Sequence, residues 1–148
     1  MATTKPNLRW RPALKLGVKE IDKQHKSLIS SAAGLQDAIA SHQPKHEVAV
    51  LFEALRAMVS SHFAWEERAM ESRGYQGYED HVKAHGILLD QIRDLHREFL
   101  AGEVNAGPGV ALFLQAWAEH HIAATDKPLA EFLLKSSDTR KHSPKKKS

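Results

Sequence analysis

The chain has no cysteine, which excludes disulfides and thiolate metal sites and leaves a reducing cytoplasm as the expected compartment. It has no apolar run near the ~20 residues that a membrane-spanning helix needs. The N-terminal "MATTKPNLRW" carries no apolar stretch of the secretory kind. Strand signals are also missing, because no segment alternates apolar and polar residues between turn residues. With 42% hydrophobic and 26% charged residues over 148 positions, the expectation is one soluble domain with its own core.

Excess positive charge is lacking over most of the chain. Arg140, Lys141, Lys145, Lys146 and Lys147 against Asp138 give residues 136–148 a charge of +4, out of a net +3 for the whole. The remainder is slightly acidic, so no specific nucleic-acid face is expected. The tail "RKHSPKKKS" is expected to be disordered and solvated. Histidine is what the chain has in plenty, with 10 residues.

Proline and glycine divide the sequence. Residues 1–18, with Pro6, Pro12 and Gly17, read as an irregular N-terminal arm. From Glu20 to about Ser41, Ile21, Leu28, Ala32, Leu35 and Ile39 recur at helical spacing. Pro44 suits the first turn of a second helix, which carries Val48, Leu51, Leu55, Met58 and Val59 and stops at Gly74. A third runs from Gly77 or Tyr78 through Leu88, Ile92, Leu95 and Phe99 to Gly102. Pro108 opens a fourth, through Val110, Leu114 and Trp117 toward Leu134. Short loops make neighbours antiparallel, so the expected fold is all-α: an up-down-up-down antiparallel four-helix bundle over 19–135, with the arm before it and the basic tail after it.

Each apolar stripe is interrupted by polar residues. His25 lies between Ile21 and Leu28, and His62 and Glu66 follow Leu55 and Met58. His81 and His85 lead into Leu88, and His121 and Asp126 follow Trp117. Side chains at i and i+4 share a helix face ~6 Å apart, so His62 converges with Glu66 and His81 with His85. Buried polarity without partners costs a few kcal/mol per group, which a stability of ~5–15 kcal/mol could not absorb at seven positions. Metal ions satisfy such groups together. Seven ligands exceed one ion and suit two ions sharing carboxylates; imidazole and carboxylate without thiolate point to iron, manganese, zinc or copper.

"GVKEIDKQHKSLI", "HFAWEERAM", "YEDHVKAH" and "WAEHHIAATD" together resemble the hemerythrins, in particular their bacterial single-domain form, over about residues 8–135. The resemblance implies two non-heme iron ions. His81, His85 and His121 would hold one, and His25 and His62 the other, with Glu66, Asp126 and an oxo or hydroxo group bridging. It also implies reversible O2 binding at one open iron position, for oxygen storage, delivery or sensing, rather than enzymatic turnover. Leu28, Phe63, Trp117 and Ile122 would enclose that position. Ala118 stands where family members usually have leucine, which would enlarge the pocket unless neighbours fill it. Alternatives are a diiron enzyme reducing peroxide or nitric oxide, and an iron-storage or scavenging protein. Beyond O2, the candidate partners are an O2-consuming enzyme or an electron donor, and the chain is expected as a monomer or weak homo-oligomer.

His121 rather than His120 continues the Leu114–Trp117 stripe. On an α-helix, however, five residues put Asp126 about 140° away from His121 at 100° per residue. A kink at Pro128, which clashes with the carbonyl of Ala124, is expected to swing Asp126 inward. Asp22 is expected either to orient His25 or to serve as a helix-start carboxylate. Glu67, His42, His46, His96 and His142 are expected to face solvent, and Trp10 to pack the arm on the bundle.

Overall fold

A computed structural model describes residues 8–102 and 106–142, with the side chains of 106–108, 111, 118–119 and 136–142 outside that description. The arm holds a short 3-10 turn, Pro12–Leu14, and then come α1 (Lys19–Ala40), α2 (Lys45–Arg73) and α3 (Tyr78–Leu100). The last rod is α4 (Ala106–Ala116), a π-helical segment (Trp117–Asp126) and α5 (Lys127–His142). α1 and α3 each pack on α2 and α4, giving a square four-helix bundle in which α1 and α3 are diagonal. The final helix passes the expected domain edge at residue 135 and runs to His142; the sequence beyond it lies outside the described residues.

Local chemistry sets the helix ends. Asp22 accepts the backbone N–H groups of Leu16, at 2.8 Å, and Gly17, at 3.0 Å, so it fastens the arm to the first turn of α1. Gly17 sits at φ 94°, where a side chain would be strained. Asp22 therefore serves the helix start and makes no hydrogen bond to His25 that would orient it. Pro44 precedes α2 as its N-cap, and Gly74 closes it in the left-handed conformation at φ 69°. The Tyr75 N–H returns to the Met70 carbonyl at 3.0 Å, which satisfies one of the orphan acceptors at that helix end. Trp10 packs against the main core, with Lys26 Nζ 4.7 Å above its ring.

Two apolar clusters fill the bundle. The larger contains Leu28, Ala32, Leu55, Val59, Phe63, Ile92, Leu114 and Trp117; the smaller contains Ile21, Met70, Leu129, Ala130 and Leu133. Full burial stabilises each large aliphatic or aromatic side chain by about 1.5–3 kcal/mol. α1 meets the small cluster at Ile21, then His25, then the large cluster at Leu28. α2 meets them in reverse, with Val59 before His62 and Met70 after Glu66. α3 repeats the order of α1 and the last rod that of α2. Alternating direction therefore carries the interruptions of all four stripes to one depth, a polar layer between two apolar ones.

Candidate metal centre

The layer contains His25, His62, Glu66, His81, His85, His121 and Asp126, none more than 7% exposed. Their ligand atoms form two groups: Glu66, His81, His85, His121 and Asp126, and His25, His62, Glu66 and Asp126. Within each group all the ligand atoms lie within 4.8 Å of one another. The two carboxylates belong to both.

Each carboxylate divides its oxygens between the groups. Oε1 of Glu66 lies 3.0 Å from Nε2 of both His81 and His85, while Oε2 lies 3.2 Å from Nε2 of His62. Oδ1 of Asp126 lies 3.2 Å from Nε2 of both His81 and His121; Oδ2 lies 2.8 Å from Nε2 of His25. All five imidazoles therefore present Nε2 inward. His62 Nε2, His121 Nε2, Glu66 Oε2 and Asp126 Oδ1 are buried with no hydrogen-bond partner, which ordinarily costs about 1–3 kcal/mol per group. Four orphaned atoms aimed at one space, all nitrogen or oxygen, fit borderline divalent ions such as iron(II).

The electrostatics agree. Burial alone would lower the His62 pKa, yet the carboxylates of Asp126 and Glu66, 3.9 and 3.2 Å from its Nε2, raise it to about 9. The same balance raises His81 to about 9. Burial and the nearby Asp126 would raise Glu66, but His62, His81 and His85 hold it down at about 2. Asp126 is likewise held well below the usual carboxylate range, against its burial, by His121, His25, His62 and His81. Two ionised carboxylates thus anchor a ring of imidazoles, and cations, whether protons or metal, are what the layer attracts.

The last rod corrects the expected mechanism for Asp126. The structure has ten residues of π-helix, Trp117–Asp126, ending before Pro128, in place of a proline kink. The N–H of Lys127 reaches back to the Ile122 carbonyl, five residues away. This wider turn sets i and i+5 on one face, so His121 and Asp126 both point inward. Pro128 has no N–H for the Ala124 carbonyl, so an unbroken α ladder cannot run through this point. His120 is exposed and His121 buried.

Two further expectations are overturned. Glu67 does not simply face solvent: its Oε2 accepts a hydrogen bond from Nδ1 of His85 at 2.9 Å. It is offset from the α2 core stripe, but that offset turns it toward α3. His96 is half-buried, its ring stacked on Phe52 with centroids 4.8 Å apart. Gln24, not singled out in the sequence, accepts the Nδ1 hydrogen of His62 through Oε1. Its signal was available, since a histidine ligand needs a partner for its outer nitrogen. His42 and His46 are exposed, and the side chain of His142 lies outside the described residues.

Of the expected pocket, Leu28, Phe63, Trp117 and Ile122 are buried in the large cluster; the side chain of Ala118 lies outside the described residues. Phe63 stacks on His85, with centroids 3.7 Å apart and planes at 6°. Phe63 and Trp117 also border a small apolar cavity of about 10 Å³. On the α1–α2 side, Leu28 and His62 border a pocket of about 230 Å³ with Lys23, Gln24, Ser27 and Ser61. No helix among the described residues is long and apolar enough to cross a membrane.

A thiolate-free, histidine-rich centre in two compartments, set across an antiparallel four-helix bundle, defines a class of metal-binding bundle proteins. Residues 16–133 match the hemerythrin HHE cation binding domain, and the chain belongs to the hemerythrin family. It is 33% identical over 123 residues to a bacteriohemerythrin of Pseudomonas aeruginosa, covering 81% of this chain and 77% of that one. It is 31% identical over 106 residues to a bacteriohemerythrin of Methylococcus capsulatus, covering 72% and 80%. With a myohemerythrin of Theromyzon tessulatum the identity is 21% over 118 residues, covering 80% and 87%. Membership in this family supports an oxygen-binding protein with non-heme iron.

Proposed function

We propose that the chain holds two iron ions and binds O2 reversibly, for storage, delivery or sensing. His81, His85 and His121 would hold one ion, His25 and His62 the other, and Glu66 and Asp126 would bridge them. The observation that supports this reading is the division of each carboxylate's oxygens between the two groups. A single-ion site would have no use for that division. Five donors nearly fill the coordination of one ion, whereas four leave the two-histidine half open to a further ligand.

Reduced iron would supply the electrons with which O2 is held. The protein's own part is selection and shielding. Leu28 and Ile122 are buried against the layer, and Trp117 lies edge-on to His25 with centroids 6.3 Å apart. These residues cover His25, which is fully buried. Two carboxylates among seven ligands contribute little negative charge, which disfavours high-valent iron and so favours binding over oxygenation.

The test is the iron content and absorption spectrum of the anaerobically reduced protein, before O2, after O2 and after its removal. Two irons per chain and a visible band that disappears under vacuum are expected. Irreversible oxidation, with sustained consumption of peroxide or nitric oxide when an electron donor is added, would establish the enzymatic alternative instead. Substoichiometric, freely exchanging iron would mean storage or scavenging.

A further inference from the structure

Glu66 and Asp126 are common to the two halves, so the halves differ in their histidines and in what holds each outer nitrogen. His85 is held twice: its Nδ1 donates to the Glu67 carboxylate at 2.9 Å, and its ring lies flat on Phe63. In the other half, Nδ1 of His62 donates to the neutral amide oxygen of Gln24. Gln24 is itself fixed by its Nε2, which donates to Oε2 of Glu20 at 2.8 Å. Nδ1 of His25 is buried with no hydrogen-bond partner.

These partners are chemically unequal. A carboxylate on Nδ1 fixes the tautomer that presents Nε2 as a lone pair, and its charge makes that lone pair more basic. An amide oxygen fixes the tautomer but supplies no charge. A bare Nδ1 does neither. Glu67 belongs to neither group of converging ligand atoms, and its side chain is 33% exposed, so it reaches the centre only through His85.

We propose that Glu67 is a positioning residue which, through His85, makes the three-histidine half the slower of the two to release its ion. Gln24 has the weaker, uncharged version of the same task for His62, so the two-histidine half exchanges first. The protein can then lose and regain the ion at its open half while the other half stays loaded and keeps Glu66 and Asp126 in place. This rests on the two-ion reading above.

The experiment uses the full-length iron-loaded protein, reduced and anaerobic, mixed with excess chromogenic iron(II) chelator. The unaltered protein is expected to release iron in two phases of equal amplitude, one ion in each. Glu67→Gln keeps an acceptor but removes the charge; it should speed the slow phase about 10–100-fold and leave the fast phase unchanged. Glu67→Asp, which keeps the charge, should restore most of the slow phase. Gln24→Leu should speed the fast phase alone. A merely structural role for Glu67 would speed both phases together, and that result, or no change in either, overturns the proposal while leaving two bound irons intact. Fewer than two irons in the unaltered protein overturns the two-ion reading and this proposal with it.

Discussion

In the three-histidine half, α3 contributes two ligands one turn apart, His81 and His85, whereas α1 contributes a single histidine to the other half. The positions one turn either side of His25 are Ile21 and Ile29, both fully buried in apolar clusters. A sixth imidazole is thus missing because isoleucine occupies both positions one turn from His25. The same helical spacing, filled once by histidine and once by isoleucine, gives one group five converging donors and the other four. Asymmetry of this kind needs no irregular loop, only a choice of residue on a regular stripe.

The most damaging way to break the comparison is to remove what the halves share. Asp126→Ala takes away the oxygens facing His25, His62, His81 and His121. Both ions should be lost, and the metal-free fold should weaken by about 3–5 kcal/mol, the usual penalty for deleting one member of a buried ionic group. Metal analysis and urea denaturation read the two effects. Retention of either ion would show that Asp126 is not shared. His62→Leu is milder and tells the halves apart. Iron should fall from two per chain to one and the O2-dependent band should vanish, while His81, His85 and His121 keep their ion. Loss of both ions in this variant would mean that the halves load only together.

The bundle and most of its converging residues were legible because they follow a single rule, polar residues interrupting a 3.6-residue stripe. His25, His62, Glu66, His81 and His85 all obey it within ordinary α-helix. Asp126 does not, since its place depends on the π-helical register of Trp117–Asp126. Hydrophobic periodicity cannot announce such a register, and the proline at 128 suggested the site of a disturbance but not its form. Glu67 and Gln24 were missed for a different reason. A residue beside a core stripe reads as solvated, yet in a square bundle each stripe is flanked by two neighbouring helices. An off-stripe side chain then meets the next helix, as Glu67 meets His85 and Gln24 meets His62.

Acidity sharpens the contrast between protons and metal as occupants of the layer. His62 and His81 are raised from 6.5 to about 9, so in the metal-free protein their stabilising contribution is complete below pH 6.5 and lost as pH rises through 9. Glu66 is lowered from 4.5 to about 2, so its contribution is complete above pH 4.5 and lost as pH falls through 2. The metal-free chain should therefore be most stable between pH 4.5 and 6.5 and lose stability between 6.5 and 9. Metal binding must expel the imidazole protons, so affinity should climb over that same interval. Thermal melts of the metal-free and loaded protein should diverge as pH rises from 6.5 to 9. Parallel curves would mean that His62 and His81 are not the groups exchanging protons for metal.

The smallest effect is expected at Pro128, and it separates what holds the π segment open. Pro128→Ala restores an N–H that can bond the Ala124 carbonyl, so an α register becomes available where the proline had excluded it. One added backbone hydrogen bond contributes about 0.5–1.5 kcal/mol. In the α register Asp126 would turn away from the layer and leave His25 and His121 without a carboxylate and His62 and His81 with Glu66 alone. The contacts of Asp126 with His25, His81 and His121, at 2.8 to 3.2 Å, oppose that change. The loaded protein should keep its π segment and its full iron content, with metal retention weakened by no more than about tenfold, the equivalent of 1.4 kcal/mol. Because Asp126 serves both halves, both chelator-release phases should quicken by the same factor, unlike the response to Glu67→Gln. Unchanged release would assign the π register to Asp126 and its imidazoles alone, with Pro128 only marking where it ends.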